Sequence, residues 1–281
     1  MITTKAKSAY ANPNYAIINV LAKRHANEPT QIVYDRDYQS LIRYYQTSYD
    51  IDSHNIVKSG ENIRLVKDMD DYMTQWVGGL SKPSKMPWFS WSTPAQLCNV
   101  GSTLRQIENS TCSGCYALDG NYVRTNVKIA LLRRWIMYRV YPIFWTQAFK
   151  TFFQFHSARS EKALFFRWFD SGDLIDLNHF ESIISIARDC PNVNFWLATR
   201  ELKTINQVNK SDIPSNLIVR YSTPMVDSLS LRVNSTMVFS EPSALPDNCQ
   251  ACPATITDDH TCSGNDCRSC WNVGHIGYKI H

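Results

Sequence analysis

The spacing of apolar residues follows a helical period over the first 80 residues of the chain. Apolar side chains recur there three and four residues apart, which predicts amphipathic helices at 15–25, 37–49 and 66–77. A loop with two prolines follows at 81–87 and is typical of a boundary between structural regions. We therefore predict a helical N-terminal extension over residues 1–85.

Continuous apolar runs alternate with helical segments in the rest of the chain. The runs predict strands at 88–92, 163–169, 193–201, 216–224 and 236–242. The helical spacing between them predicts helices at 178–190 and 202–210, and one helix, or two broken near Pro142, at 123–157. Strands that alternate with helices are typical of a parallel sheet with right-handed crossovers. The predicted fold class is therefore α/β.

Composition and charge exclude several classes of protein. With 44% hydrophobic and 19% charged residues, the 281-residue chain has enough apolar surface for a packed core, so we do not expect wholesale disorder. The longest apolar region, 127–155, is interrupted by five basic residues and does not read as a membrane span. The N-terminus lacks the apolar stretch of a signal peptide, so we expect an intracellular protein.

Nine cysteines are many for an intracellular chain, and eight of them fall into two groups. The first group is Cys98, Cys112 and Cys115, and the second is Cys249, Cys252, Cys262, Cys267 and Cys270. In a reducing compartment clustered cysteines favour metal ligation over disulfides. The ninth, Cys190, stands apart and reads as a small buried hydrophobic residue.

The two cysteine groups allow different metal sites. Cys112 and Cys115 alone fit a redox pair, half a zinc site or part of an iron–sulfur site. With Cys98 they make three thiolates, which leave one coordination position open for chemistry. Any four cysteines of the second group suffice for a tetrahedral zinc ion or a cubane cluster, and the fifth is free to complete the first site. Spacing does not separate iron–sulfur from zinc.

Polar residues follow each predicted strand of the parallel sheet. Chemistry in parallel α/β folds gathers at the carboxyl ends of the strands. We therefore take three residues as candidate catalytic groups, with the carboxylates available for proton transfer: Asp170, Asp173 and Arg200. Five more are candidate cofactor- or substrate-binding residues: Ser171, Gly172, Thr199, Ser222 and Glu241. The alternative is that these residues only cap the following helices, since N-caps favour the same residue types.

One predicted helical stretch is both basic and aromatic. The sequence "RTNVKIALLRRWIMYRVYPIFW" has arginines that suit a phosphate backbone and aromatic rings that suit stacked bases. We favour the alternative of an amphipathic scaffold helix with its arginines in water, because basic residues on a helix face are usually solvated. A net charge of +4 is compatible with either interpretation.

The order of these motifs resembles a known family. "CSGCYA", "FRWFDSGD", "CPNVNFWLATRE", "CQACPAT", "CRSCW" and "IGYKIH" follow one another as in the phage-encoded gene product 88 family, over about residues 85–281. That family is similar to radical-SAM-like barrel proteins with cysteine-bound iron–sulfur centres. The resemblance implies a partial or distorted (β/α) barrel over 86–245 and a cysteine-rich metal-binding segment packed on it at 246–281.

The resemblance also implies cofactors and a place of action. The implied cofactors are a [4Fe–4S] cluster and S-adenosylmethionine, with zinc as the alternative metal. The implied place of action is the host cell cytoplasm. Radical SAM enzymes carry a Cys-x3-Cys-x2-Cys loop, whereas the gap between Cys98 and Cys112 is far longer here.

Three functions are compatible with these patterns. The leading prediction is a radical-SAM-like iron–sulfur enzyme that acts on a nucleic acid or a nucleotide. The second is a base-exchange enzyme, because "DSGD" after a buried strand resembles the guanine transglycosylase barrels, where Asp170 would contact the base and zinc would be structural. The third is a zinc-stabilised protein without chemistry that binds DNA or a host factor.

Overall fold

A computed structural model describes residues 11–47 and 63–280, and the chain divides into two units. The helical unit comprises residues 1–80 and 120–161, and the sheet unit comprises residues 81–119 and 162–281. This division differs from the predicted domains, because the helices of 120–161 belong with the N-terminal helices rather than with the predicted core.

The α-helices of the described residues are, in chain order, α1 (Tyr15–His25), α2 (Arg36–Thr47), α3 (Val66–Val77), α4 (Asn99–Leu104), α5 (Thr125–Val140), α6 (Pro142–Ser157), α7 (Leu177–Asp189), α8 (Leu202–Ile205) and α9 (Pro253–Ile256). The strands are β1 (Ser90–Trp91), β2 (Leu164–Trp168), β3 (Val193–Thr199), β4 (Leu217–Ser222), β5 (Ser235–Phe239), β6 (Cys249–Ala251) and β7 (His275–Lys279). Short 3₁₀ turns lie at Pro29–Tyr34, Ala95–Leu97, Tyr116–Leu118, Gly120–Val123, Lys210–Asp212, Pro242–Ala244 and Ser269–Trp271. Among the described helices, none combines the length and the apolar composition needed to cross a membrane.

The helical unit confirms the predicted helices, except that the end of the second, Ser48 and Tyr49, lies outside the described residues. The stretch predicted at 123–157 is two helices, α5 and α6. Pro142 occupies the first turn of α6, where its missing N–H costs no hydrogen bond, and it cannot continue α5. Aromatic side chains fill the interior of this unit, with Trp145 packed edge-on against both Tyr138 and Phe149.

The basic residues of α5 make contacts within the helical unit. The guanidinium of Arg133 donates to the carbonyl of Gly78 and to the side-chain oxygen of Asn19. Arg134 is buried and donates to the carbonyl of Gly79. These two arginines hold the end of α3, so α5 has the predicted scaffold role. The prediction that its arginines lie in water is wrong for Arg134, which is buried.

Asp35 is the centre of a charged cluster between α1 and α2. Its carboxylate pairs with the Arg24 guanidinium and with the His25 ring, and it accepts hydrogen bonds from the backbone N–H groups of Asp37 and Tyr38. Burial alone would raise the pKa of Asp35, but these donors outweigh it and hold the pKa far below its ordinary value. The ionised carboxylate therefore stabilises the helical unit.

We expect Asp35→Asn to lower the free energy of unfolding by about 2 kcal/mol near neutral pH, because the surrounding donors lose a buried, charged acceptor. A carboxylate with a depressed pKa contributes stability above its unfolded-state value and loses that contribution as the pH falls toward the folded-state value. The difference between wild type and variant should therefore shrink below about pH 4. Urea unfolding of both proteins at a series of pH values measures this difference in unfolding free energy.

Asp37→Asn is the matched control for that series. Asp37 pairs with Arg24 but its side chain is exposed, so its loss should cost about 0.5 kcal/mol or less. A difference for Asp35→Asn that stays the same through the acid range would contradict the electrostatic explanation.

The sheet unit confirms the predicted parallel α/β fold. Within the described residues it contains a seven-stranded sheet in the order β1-β2-β3-β4-β5-β7-β6, and every neighbouring pair is parallel. The sheet is open rather than closed into a ring, as a partial barrel is. Its central strands β2 and β3 bury Phe166, Trp168, Phe195 and Leu197.

The C-terminal segment is part of this sheet. The sequence predicted no strand after residue 242, but β6 and β7 lie there, and β7 inserts between β5 and β6. Segment 246–281 was predicted as a metal-binding part packed on the core. Its strands extend the sheet, and the cysteine-bearing loop lies between them.

Candidate functional site

The turn after β2 sets the geometry of the predicted site. The Ser171 hydroxyl donates to the carbonyl of Thr93, and the Ser171 backbone carbonyl accepts from the backbone N–H of Thr93. These two hydrogen bonds join the ends of β1 and β2. Gly172 follows with φ of +77°, and a Cβ at this position would lie 2.6 Å from the Thr93 carbonyl oxygen. Only glycine fits this turn, which explains the sequence "SGD".

Asp170 is bound to the neighbouring strand. Its carboxylate accepts hydrogen bonds from the hydroxyls of Ser90 and Ser92, and its carbonyl accepts one from the Tyr116 hydroxyl. It is not the cap of the next helix, because Asp176 caps α7 by accepting from the backbone N–H of His179. Asp170 therefore joins β1, β2 and the turn that carries Tyr116.

Asp173 points into the interior of the site. Its buried carboxylate accepts from the Thr199 hydroxyl at 2.5 Å, from the Leu174 backbone N–H at 2.8 Å and from the Arg200 backbone N–H at 2.9 Å. Burial raises the pKa of Asp173, and these hydrogen bonds and the Arg200 charge offset part of that rise. The structure thus brings together Asp173, Thr199 and Arg200, as predicted from the carboxyl ends of β2 and β3.

The first cysteine group lies on the loop after β1. Cys98 immediately precedes α4, and Gly101 in the first turn of that helix faces two thiols. A Cβ at Gly101 would lie 3.7 Å from the sulfurs of both Cys98 and Cys112, so the two sulfurs are at most twice that distance apart. Negative charge on Cys112 or Cys115 would raise the pKa of Cys98, which places all three thiols in one region.

Arg200 connects this loop to the sheet. Its guanidinium donates twice to the hydroxyl of Thr111, at 2.6 and 3.1 Å, and that hydroxyl donates to the carbonyls of Thr223 and Pro224. Thr111 immediately precedes Cys112, so the thiol is fixed over the carboxyl ends of β3 and β4. Since β1 pairs with β2 in parallel, the cysteine loop and the aspartates lie at the same edge of the sheet.

Two thiols of this site, those of Cys98 and Cys112, have raised pKa values. Burial raises the pKa of Cys98 well above its ordinary value, and the nearby charge of Asp173 adds to the rise. Burial also raises the pKa of Cys112, against a lowering by Arg200. Reactive cysteines of Cys-x2-Cys redox motifs have depressed pKa values instead.

The remaining predicted binding residues lie at the ends of β4 and β5. Ser222 accepts a hydrogen bond from the hydroxyl of Thr236 on β5. Glu241 is exposed after β5. The hydrogen bonds of Asp173 and Arg200 involve the ends of β2 and β3 and the cysteine loop, so the site centres there rather than at β5.

Comparison with known proteins assigns this chain to a family. A family model described as gene product 88 matches residues 50–276, which is most of the chain. The chain belongs to the gene product 88 family. This confirms the family resemblance read from the motifs, while similarity to radical SAM proteins stays a prediction. Neither the curated proteins nor the solved structures gave a match to this member of the gene product 88 family.

In the second cysteine group of this gene product 88 protein, four cysteines lie together and one lies apart. Burial first, and then the nearby Cys270, Cys262 and Cys267, raise the pKa of Cys252 to about 12, so these four thiols share one region. Cys249 lies elsewhere, in an apolar cluster with Met237 and Phe239 on the neighbouring part of the sheet. Among residues 11–47 and 63–280, no three His, Cys, Asp or Glu side chains form a ready set of ligands around a single ion.

Two carboxyl-edge residues of the gene product 88 protein were not singled out from the sequence. Glu201 is buried and accepts from the backbone N–H of Val100 at the start of α4. Burial raises the pKa of Glu201, and the nearby Asp173 charge adds to that rise. Its place at the polar end of β3 was the available signal. Thr111 carried no signal, because its role depends on a contact with Arg200, far away in the sequence.

Proposed function

We propose that this gene product 88 protein is an iron–sulfur enzyme whose cluster is held by Cys98, Cys112 and Cys115. Its substrate would bind beside Asp173 and Arg200. The observation that carries the proposal is the grouping of three thiols with a buried carboxyl group and a guanidinium at the carboxyl edge of a parallel sheet. This is the edge where α/β proteins bind ligands.

The residues present suit such a cluster. Thiolates are the ligands that iron–sulfur clusters take, and three of them leave one iron without a protein ligand. Gly101 lets the first turn of α4 lie close against two of the sulfurs, because a Cβ there would press on the Cys98 side chain at 2.9 Å. Arg200 provides positive charge near Cys98 and Cys112. When bound, such a cluster supplies one-electron chemistry and an open coordination position.

The chain's own residues would bind and orient the substrate. The Asp173 carboxylate holds the Thr199 hydroxyl and the Arg200 backbone, so it fixes where the guanidinium stands. Arg200 would hold an anionic group of the substrate. We assign Asp173 a positioning role, because all its hydrogen bonds go to neighbouring strand-end groups.

The substrate class that we propose is a nucleotide or a nucleic acid. Tyr116 follows Cys115 directly, and 54% of its surface is exposed although the Asp170 carbonyl holds its hydroxyl. A fixed, exposed aromatic ring beside the proposed cluster site suits stacking on a planar base. The cysteine spacing differs from that of radical SAM enzymes, so the proposal includes no step with S-adenosylmethionine.

The guanine transglycosylase alternative requires Asp170 to contact a base. In this chain the Asp170 carboxylate is already hydrogen-bonded to Ser90 and Ser92. The site therefore favours the thiol group as the reactive centre, with Asp170 in the scaffold.

Anaerobic purification followed by metal and sulfide analysis tests the proposal. We expect iron and acid-labile sulfide with visible charge-transfer absorption, and we expect Cys98→Ala, Cys112→Ala and Cys115→Ala each to lose the iron and sulfide held at this site, with a matching fall in that absorption. Cys190→Ala is the matched control, because Cys190 is a buried cysteine outside both groups. Wild-type protein with zinc and no iron would contradict the proposal and favour the zinc-stabilised alternatives.

A further inference from the structure

We infer that this protein has a second metal centre, closed by four thiolates, that fastens the C-terminal segment to the sheet. Its ligands are Cys252, Cys262, Cys267 and Cys270. The group bound by these thiolates is thiophilic, either a zinc ion or a cubane iron–sulfur cluster, since both take four cysteines. This site is distinct from the thiol group of the proposed function.

Two of the four cysteines are held against the sheet. Cys270 is buried in an apolar cluster with Trp196, Trp271 and Ile276, and Cys252 packs against the same cluster. The backbone N–H of Cys252 donates to the carbonyl of Gly277 on β7 at 2.7 Å. These two thiols therefore have fixed positions on one part of the sheet.

The other two cysteines lie on a loop that is closed by its own hydrogen bonds. The backbone N–H of Cys267 donates to the carbonyl of Cys262 at 2.9 Å, and Arg268 donates to the carbonyls of both residues. The backbone N–H of Cys262 also donates to the carbonyl of Lys85. The residue after Lys85, Met86, and the Phe165 ring under Arg268 both pack against the cluster that holds Cys270 and Cys252. The loop therefore lies beside these two thiols, and metal binding would draw it toward them.

The charges around the four thiols point to a negatively charged ligand set. Arg220 is fully buried, and Arg268 is partly buried with its guanidinium over the Phe165 ring. No carboxylate of residues 11–47 and 63–280 lies within ion-pair distance of either guanidinium. A buried cation without a counter-charge is costly. Four thiolates around a divalent ion carry a net charge of about −2, which the nearby guanidinium groups of Arg167, Arg220 and Arg268 offset.

Arg220 also links the centre to the fold. Its guanidinium donates to the carbonyls of Ser269, Cys270, Asn272 and Gly274, so it fixes the turn that leads from Cys270 into β7. A metal centre at these four cysteines would fix the other side of the same segment. The Arg220 hydrogen bonds and the metal centre together explain how a segment with little apolar periodicity contributes two strands.

The test is native mass spectrometry and elemental analysis of the full-length protein purified without oxygen. Cys262→Ala and Cys267→Ala should each lose one metal centre per chain, while iron bound at Cys98 and Cys112 remains. Cys249→Ala is the matched control and should keep every metal, because that side chain lies among Met237 and Phe239. Loss of zinc identifies an ion, and loss of iron with sulfide identifies a cluster.

A second measurement on the wild-type protein avoids any loss of folding in the variants. We expect Cys262 and Cys267 to resist iodoacetamide in the protein as isolated and to react once a chelator has removed the metal, as read by peptide mass spectrometry. Free alkylation of these two cysteines in the isolated protein would overturn the inference. Unchanged metal content in both alanine variants would also overturn it.

Discussion

Arg220→Met is expected to lower the free energy of unfolding by about 4 kcal/mol. The guanidinium is fully buried and satisfies four backbone carbonyls between residues 269 and 274. Methionine has a similar length but donates no hydrogen bond, so all four carbonyls lose this donor, including that of the buried Cys270. Each unsatisfied buried polar group costs about 1 kcal/mol or more.

Chemical denaturation of the wild type and the variant measures this loss. Arg188→Met is the matched control, because Arg188 is exposed on α7 and donates to one carbonyl, that of Asp212. Its change should stay within about 0.5 kcal/mol. An Arg220→Met protein as stable as the control would show that the turn holds without the guanidinium.

Gly172→Ala should destabilise the protein by about 3 kcal/mol and displace Asp173. A positive φ costs an L-residue about 1 kcal/mol or more. The added methyl would also lie 2.0 Å from the Thr93 hydroxyl oxygen and 2.6 Å from its carbonyl oxygen. The hydroxyl can rotate away but the carbonyl is backbone, so the turn itself must shift, and overpacking of this kind costs about 1–3 kcal/mol.

Gly120→Ala separates the cost of the positive φ from the cost of steric overlap with Thr93. Gly120 also has a positive φ, of +54°, but a Cβ there meets no atom within 4 Å. We expect that variant to lose only the backbone part, about 1 kcal/mol. Equal unfolding free energies for the two alanine variants would show that Thr93 does not confine the turn.

The sequence alone was sufficient to predict the strands β2 and β3 of the sheet. Runs such as "ALFFRWF" and "VNFWLATRE" are apolar on both faces and can only be buried strands, and β2 and β3 lie within them. The polar residues at their ends were predicted to meet, and Asp173, Thr199 and Arg200 do so. Strands β6 and β7 escaped prediction because "CQA" and "HIGYK" are short and lack alternation, so their pairing depends on the rest of the sheet.

Residues whose roles depend on distant partners could not be read from the sequence. Arg220 lies inside a strand pattern, and its four acceptors are about fifty residues further along the chain. Spacing alone also did not show how the cysteines divide. Cys249 is three residues from Cys252 in a familiar Cys-x2-Cys spacing, yet its strand places it in an apolar cluster. Spacing along the chain does not say which side of a strand faces which neighbour.

The position of β7 has a consequence for how the chain is made. β7 follows every other strand in sequence but lies between β5 and β6 in the sheet. While a ribosome is still adding residues 275–279, the edge of β5 has no neighbour and β6 has nothing to pair with. An unpaired edge invites association with other chains. The nascent protein is therefore most vulnerable just before synthesis of this strand. A premature stop codon before it would leave two unpaired strand edges, on β5 and on β6, rather than one missing edge strand.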